Sequence, residues 1–407
     1  MNPFSGLWLL IILGTVAGVA VGRYPWVRMN RATIALVGAT ALVLTGALSL
    51  EKAYEAVDLD TVTLLLAMMI LNANLRLSGF FQLVSRWIVQ RARTPRRLLA
   101  WIIGASGLLS AILLNDTIVL MFTPLVLDVT RSLRRNPVPY LIGLVTSANI
   151  GSAATIVGNP QNMIIGMASD ISFLEFTAAL FIPAALSLLL AWLVVTLAYR
   201  REFSGERLEP TVPARFRPYR PLLYKSLAAT GVLIFLFLLG LPAPLAALAA
   251  ASILLVTRRL KPERVFLEVD WSLLVFFAGL FVVSGAAEEA GFVALLFQYA
   301  EPVARLGTPA LAAVALVLSN LISNVPAVLL FRPLIPSFPD PTEAWLTLAL
   351  ATTFAGNLTL LGSVANLIVA ETARRRGVHL GFFEYLRCGV PLTFGSIALG
   401  VLWLMWR

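Results

Sequence analysis

The chain has 407 residues, of which 59% are hydrophobic and 13% are charged, and its mean hydropathy is +0.87. Soluble domains carry about 25% charged residues, so this composition excludes a soluble multidomain enzyme and indicates a membrane protein. The 31 basic and 21 acidic residues leave a net charge of +10. In so apolar a chain the charged residues must lie in the loops between spans, where their distribution indicates membrane topology. The net positive charge is therefore not evidence for a nucleic-acid partner.

Apolar segments close to the roughly 20 residues that cross a bilayer recur along the whole chain, which predicts an all-α polytopic membrane protein. The predicted spans are 4–22, 33–50, 61–77, 98–133, 138–169, 174–199, 222–241, 243–257, 271–287, 308–335, 345–371 and 389–406. We interpret the first span as a retained helix, because no basic segment precedes it. A single cysteine, Cys388, and a single histidine, His379, exclude a disulfide framework and multi-histidine metal sites.

Basic residues mark one side of the membrane. Twenty-seven of the 31 lie in six connections, at 23–31, 76–97, 131–135, 200–225, 258–264 and 374–387. The other connections are acidic. Short cytoplasmic loops are enriched in Arg and Lys, so the basic connections are predicted to be cytoplasmic and the N-terminus outside. We therefore expect a multi-pass protein in the lipid of a plasma membrane, the bacterial inner membrane.

Two apolar segments begin and end on the same predicted side. Segment 98–133 is basic at both ends and contains Asn115-Asp116-Thr117, whereas segment 308–335 is flanked by acids and contains Ser323-Asn324-Val325-Pro326. The arms of each are short for full spans, so we interpret both segments as re-entrant helical hairpins with tips near the membrane midplane. Two ordinary helices joined by a tight turn would have the same loop charges and remain an alternative.

Two further segments contain residues that interrupt a helix. The interruption runs from Ser147 to Asn162 in segment 138–169, and from Ala355 to Asn366 in segment 345–371. Proline, glycine and asparagine are poor helix formers, so each segment is predicted to be a discontinuous transmembrane helix. Unwound backbone at membrane depth is tolerated only where it is buried in protein or lines a cavity.

The same pattern occurs twice along the chain. Asn115, Phe122 and Pro124 recur 209 residues later as Asn324, Phe331 and Pro333, and Thr155, Gly158 and Asn162 recur 204 residues later as Thr359, Gly362 and Asn366. The first hairpin enters from the predicted cytoplasmic side and the second from outside, which predicts inverted repeats of the kind found in secondary transporters.

The predicted organisation follows from these repeats. It comprises N-terminal helices at 1–50, a first repeat at 51–199, a cytoplasmic linker at 200–221 and a second half at 222–407. Segments 79–93 and 291–304 are predicted to be interfacial helices, because the first opposes apolar residues to arginines.

Backbone ends and amides form the predicted site. A half-helix that starts at Pro160 or near Ser363 points free N–H groups and a positive dipole end at the centre, which suits an anion or a polar oxygen ligand. A weakly charged ligand is equally compatible. Carbonyl, amide and hydroxyl oxygens could coordinate a small hard cation, and no Arg or Lys occurs in these motifs. The candidate substrate- or ion-binding residues are Asn115, Asp116, Thr117, Asn149, Gly151, Thr155, Gly158, Asn159, Asn162, Ser323, Asn324, Gly356, Asn357, Thr359, Gly362, Ser363 and Asn366.

Asp116 is the acid at a predicted hairpin tip. An ionisable group at mid-membrane costs at least about 2.5–3.5 kcal/mol on insertion scales, which favours a role in coupling, as a proton carrier or a cation ligand. The alternative is a carboxylate that caps an arm beginning at Thr117. Interhelical amide bonds are likewise an alternative for Asn162 and Asn366.

Taken together, these motifs resemble those of the ion transporter superfamily, which includes arsenite permeases, citrate-type carriers, divalent anion/sodium symporters and sodium/proton antiporters of the same fold. The motifs are Asn115-Asp116 with Pro124, Gly158-Asn159-Pro160-Gln161-Asn162, Ser323-Asn324-Val325-Pro326 and Gly362-Ser363-Val364-Ala365-Asn366. The similarity is greatest to arsenite-permease and citrate-transporter-like anion permeases. It implies a homodimer and, in some branches, an elevator-like motion.

The symporter branch of that superfamily binds sodium and carboxylate at its hairpin tips, usually with Ser-Asn-Thr. The resemblance implies such contacts for Asn115, Thr117, Ser323 and Asn324. Asp116 departs from the pattern, which weakens the expectation of sodium coupling and favours protons.

The sequence thus predicts a secondary active transporter, with no catalytic residues and no cofactor beyond a coupling H⁺ or Na⁺. Its partners are expected to be a small inorganic or carboxylate anion, of arsenite or carboxylate type, and the coupling cation. A cation/proton antiporter is the first alternative, although it needs core carboxylates and only Asp116 is evident. A passive anion channel is the second.

Overall fold

The structure is a computed structural model that describes residues 5–22, 28–204, 208, 217–256, 260–292 and 306–407. Within these ranges the chain is helical and contains no strand. Five helices among the described residues are long and apolar enough to cross a membrane, namely Leu59–Ser78, Phe173–Ala198, Arg220–Leu238, Trp271–Glu289 and Phe382–Trp406. The prediction of an all-α polytopic membrane protein is confirmed.

The first half of the chain contains the following helices: α1 (Ser5–Val21), α2 (Arg31–Leu44), α3 (Leu50–Ala56), α4 (Leu59–Ser78), α5 (Phe80–Arg91), α6 (Pro95–Ile112), α7 (Asn115–Ser132), α8 (Pro137–Ser152), α9 (Pro160–Ala168), α10 (Phe173–Ala198) and α11 (Arg200–Phe203). The second half contains α12 (Arg220–Leu238), α13 (Ala243–Leu255), α14 (Pro262–Phe266), α15 (Trp271–Glu289), α16 (Thr308–Ile322), α17 (Asn324–Phe331), a 3₁₀ turn (Ile335–Ser337), α18 (Pro341–Ala355), α19 (Val364–Arg375) and α20 (Phe382–Trp406).

Both predicted hairpin segments are pairs of helices, the first broken just before its predicted tip at 115–117 and the second broken at the start of its predicted tip at 323–326. In the first, Leu113 and Leu114 are extended and separate α6 from α7. In the second, Ser323 alone separates α16 from α17, with φ 79° and ψ 157°. Non-glycine residues rarely occupy that region of backbone space, so the second tip is strained. Re-entry into the membrane remains a prediction, because it rests on the loop charges.

The two discontinuous helices also break inside the predicted interruptions. α8 ends at Ser152 and α9 begins at Pro160, and α18 ends at Ala355 while α19 begins at Val364. Side-chain caps explain where the second halves begin: the Asn159 side chain accepts from the Asn162 N–H, and the Ser363 side chain accepts from the Ala365 N–H. The first interruption is shorter than predicted, since the helix continues through residues 147–152.

Some boundaries differ from the sequence prediction. The span predicted at 33–50 ends at Leu44, because Gly46 has φ 78° and turns the chain before a separate helix, α3, begins after Ser49. The predicted interfacial segment at 79–93 contains α5, with Phe81 and Ile88 buried. Its counterpart at 291–304 and most of the linker at 200–221 lie outside the described residues.

The same order of helices occurs in both halves. α4, the pair α6–α7, the broken pair α8–α9 and α10 correspond to α15, α16–α17, α18–α19 and α20. α8 packs between α6 and α7 and is almost completely buried, and α2 packs along α15. The inversion of the two halves relative to the membrane stays a prediction.

The approach of α8 to α6 is close enough to give a prediction. A methyl group at Gly151 would lie 2.0 Å from the Gly107 carbonyl oxygen, whereas one at Gly104, also on α6, would meet no atom within 4 Å. We expect Gly151→Ala to lower the free energy of unfolding by about 1–3 kcal/mol through overpacking. Thermal unfolding of the detergent-purified protein measures this, with Gly104→Ala as the control. Equal melting temperatures for the two variants would contradict the close contact between Gly151 on α8 and Gly107 on α6.

Candidate functional site

A cavity of about 580 Å³ lies where the two hairpin tips and the two broken helices meet. Its wall contains the first residues of α7, α9, α17 and α19. The first N–H groups of a helix have no partner within the helix, and the helix dipole makes that end positive. Four such ends therefore face one cavity.

Three charged side chains line the described part of this cavity, namely Arg31, Asp116 and Asp270. Arg31 is the first residue of α2, and Asp270 caps α15 by accepting from the Leu273 N–H at 3.1 Å. Arg31 lies close enough to Asp116 to interact with it electrostatically. The sequence motifs contain no Arg or Lys, so the expectation of a site without a basic side chain is wrong for the assembled cavity.

Five of the predicted site residues line the cavity: Asn115, Asp116, Ser323, Asn324 and Ser363. The other twelve lie outside its wall: Thr117, Asn149, Gly151, Thr155, Gly158, Asn159, Asn162, Gly356, Asn357, Thr359, Gly362 and Asn366. Sequence reasoning missed Arg31, Asp270 and Gln161, which do line it. Gln161 carried a signal, because it lies between Pro160 and Asn162 in an identified motif.

Asn149 connects the first hairpin tip to the second broken helix. Its Oδ1 accepts from Asn115 Nδ2 at 3.2 Å and from Ser363 Oγ at 3.3 Å. Its Nδ2 donates to Asn357 Oδ1 at 2.9 Å and to Asn366 Oδ1 at 3.1 Å. All of these groups are buried. The network therefore fixes the relative positions of residues that come from both halves of the chain.

Asn162 and Asn366 hold the two unwound segments in the same way. Asn162 Nδ2 donates to the carbonyl oxygens of Ser152, at 3.1 Å, and Thr155, at 3.0 Å. Asn366 Nδ2 donates to those of Gly356, at 2.7 Å, and Thr359, at 2.8 Å. The acceptors in the second set lie 204 residues after those in the first. Each amide thus donates to carbonyl groups of an interrupted helix, and the Thr359 carbonyl oxygen also accepts from the Gly362 N–H at 3.1 Å.

Close packing explains the glycines in these segments. A methyl group at Gly158 would lie 2.3 Å from the Ser152 carbonyl oxygen, and one at Gly362 would lie 3.0 Å from Asn320 Oδ1. Thr155 Oγ1 donates to the Ala111 carbonyl oxygen at 2.5 Å, and the Gly158 carbonyl oxygen accepts from the Asn115 N–H at 3.0 Å. The first unwound segment therefore lies directly against the first hairpin tip.

Asp116 is the second residue of α7, which begins at Asn115 and not at Thr117. Its own N–H donates to Asn115 Oδ1 at 2.9 Å, and no side chain caps this helix. The alternative in which Asp116 serves as the cap is therefore wrong. Thr117 accepts from Asn72 Nδ2 at 3.2 Å. The Asp116 carboxylate remains available to the cavity.

Asn324, at the other tip, has a buried Oδ1 with no hydrogen-bond partner among the described residues. Buried polar atoms in proteins are almost always hydrogen-bonded, and this one lies on a residue of the cavity wall. The described residues contain no cluster of three or more His, Cys, Asp or Glu side chains suited to a metal ion.

Comparison with known proteins identifies the family. The citrate transporter family matches residues 8–355. This chain belongs to that family. It is 29% identical to a silicon efflux transporter of Oryza sativa subsp. japonica, over 98% of this chain and 95% of that protein. It is 32% identical to an uncharacterized transporter of Mycobacterium bovis, over 93% of this chain and 94% of that protein.

A solved structure shows the same fold. The crystal structure of the Alcanivorax borkumensis YdaH transporter matches with a TM-score of 0.61 at 14% identity, over 99% of this chain and 98% of that one. The resemblance to the ion transporter superfamily is confirmed, and the chain is a multi-pass membrane transporter of the citrate transporter family.

The paired asparagines give a second prediction. Asn366→Ala removes this donor from the Gly356 and Thr359 carbonyl groups. The Thr359 carbonyl keeps the Gly362 N–H, whereas the Gly356 carbonyl loses its donor, and an unsatisfied buried polar group costs about 1–3 kcal/mol. We expect a lower melting temperature for Asn366→Ala and a comparable loss for Asn162→Ala. Gln90→Ala removes an exposed amide and should leave the melting temperature unchanged. If the Asn366→Ala protein is as stable as the Gln90→Ala protein, the hydrogen bonds of Asn366 do not stabilise the unwound segment.

Proposed function

We propose that this chain is a secondary active transporter of a small anion or oxyanion, of carboxylate or arsenite type, that works by alternating access with H⁺ or Na⁺ as the coupling ion. The convergence of four helix N-termini on one cavity supports this most directly. Each N-terminus carries about half a positive charge, which favours anions over cations. The same observation counts against a cation/proton antiporter.

The position of the cavity supports alternating access. Under the predicted topology Gly22, Arg31 and Asp270 lie at cytoplasmic helix ends, and all three line the cavity. The exposed side chain of Asn30 lies at its mouth. On the opposite predicted side, Arg332 Nη1 lies 3.6 Å from Asp58 Oδ2 and joins the second hairpin to the start of α4. We infer an inward-open state, which substrate enters or leaves from the cytoplasm.

Asp116 is the proposed coupling carboxylate. It shares the cavity with Asp270, so two negative charges oppose the entry of an anion. A proton on Asp116 would remove one of them and thereby link proton binding to anion binding. Na⁺ coupling would instead use neutral oxygens, and the unpartnered Asn324 Oδ1 is one such oxygen.

The comparisons suggest which compounds to test. Citrate is the substrate in the name of the family, and silicon is the substrate in the name of one relative. We include both with arsenite as candidate substrates. A bacterial inner membrane and a homodimeric assembly are part of the proposal.

The transport experiment uses purified protein in liposomes with imposed pH or Na⁺ gradients. We expect at least one of citrate, arsenite and silicate to accumulate against its own gradient. Equilibration without accumulation would instead identify a passive channel.

Asp116→Asn provides the third prediction. The side-chain amide of Asn is not protonated near neutral pH, so the variant cannot carry a proton at this position. We therefore expect gradient-driven accumulation to fall to background, while exchange of internal for external substrate persists. Asp128→Asn is the control, since Asp128 lies on the same helix, is exposed and pairs with Arg376 outside the cavity. Full accumulation by the Asp116→Asn protein would exclude Asp116 as the coupling group.

A further inference from the structure

We propose that Arg31 binds the negatively charged oxygens of the substrate and makes the cavity select anions over neutral acids. The inference rests on the proposed transport function and adds a binding residue from the N-terminal helices, which lie outside both predicted repeats.

The charge of Arg31 is only partly balanced by the described part of the protein, through an electrostatic interaction with Asp116 beyond ion-pair distance. Arg31 is the first residue of α2, following the cap residue Asn30, so its positive charge lies at the positive end of the helix dipole. Its side chain is half-buried and forms neither an ion pair nor a hydrogen bond with any described group. Desolvation and the dipole both disfavour a cation here, and an anionic ligand would offset both.

Gly22 positions the guanidinium. It has φ +81°, and a methyl group there would lie 3.3 Å from Arg31 Nε and 3.7 Å from Nη2. The absence of a side chain at Gly22 therefore lets the guanidinium lie against the backbone that follows α1. Both residues line the cavity. The guanidinium thus lies in the cavity wall beside Gly22, at the end of α1.

The surroundings of Arg31 provide a path for an anion. The other charged groups in the described cavity wall, Asp116 and Asp270, form no ion pair with Arg31. The remaining wall includes the four helix N-termini, which also attract negative oxygens. A guanidinium can donate two parallel hydrogen bonds to a carboxylate or phosphate. A neutral acid gains little from this charge, so Arg31 distinguishes ligands by their ionisation.

The test compares charged and neutral probes on the full-length protein purified in detergent. Citrate and inorganic phosphate are anions near pH 7, whereas arsenite is there mainly the uncharged acid. Calorimetry measures the Kd of each probe. We expect Arg31→Gln to weaken citrate or phosphate binding at least tenfold and to leave arsenite binding within twofold of the original protein.

Matched variants separate charge from folding. Arg28→Gln removes an exposed basic residue of the same connection that does not line the cavity, and it should bind like the original protein. Arg31→Lys keeps the charge but loses the paired donors, so we expect an intermediate loss. Gly22→Ala should also weaken citrate or phosphate binding, because the added methyl group displaces the guanidinium. This variant replaces Arg31→Gln in the test if gel filtration shows that Arg31→Gln is unstable.

The binding measurements can contradict the role of Arg31 in two ways. Anion binding by Arg31→Gln or Gly22→Ala at the original affinity would overturn the inference and leave the proposed transport function intact. Binding of arsenite alone by the original protein would also overturn it, since no anion would then be selected. If the original protein binds none of the probes and transports none in liposomes, the proposed function fails as well.

Discussion

The central constraint on this protein is that backbone polar groups released inside an apolar chain must find partners within the protein. Two helices unwind in its interior, at 153–159 and 356–363. Asn162 and Asn366 supply donors to the carbonyl groups of these segments, and glycines let the segments pack against their neighbours. The half-helices that follow begin at Pro160 and Val364, which line the cavity, while Asn159 and Ser363 cap the N–H groups of Asn162 and Ala365. The two breaks therefore place the positive ends of two helices in the cavity wall.

The features of the fold that local chemistry controls were predictable from sequence. Pro160 cannot continue a preceding helix, and Asn159 and Ser363 are strong helix caps, so the breaks occur within the predicted interruptions. Boundaries that depend on one backbone angle were less predictable. Gly46 ends a span early, and the extended Leu113 and Leu114 move the start of α7 to Asn115. The orientation of the repeats rests on loop charge alone.

The composition of the cavity could be predicted only in part, because tertiary packing assembles it. Asn115, Asp116 and Asn324 lie at tips that local sequence identifies. Arg31 and Asp270 are the first residue and the cap of helices that pack together, α2 and α15, and by sequence they belong to loops. The most recognisable motif residues, such as Asn162 and Asn366, support the backbone and do not line the cavity.

The strained tip at Ser323 makes the two hairpins mechanically unequal. The first tip turns through two extended residues in ordinary conformations, while the second turns at one residue with φ 79°. A residue in such a region is less stable by about 1–3 kcal/mol than in an ordinary conformation. The second tip therefore contains backbone strain that the first tip lacks, and the packing around Ser323 must offset it.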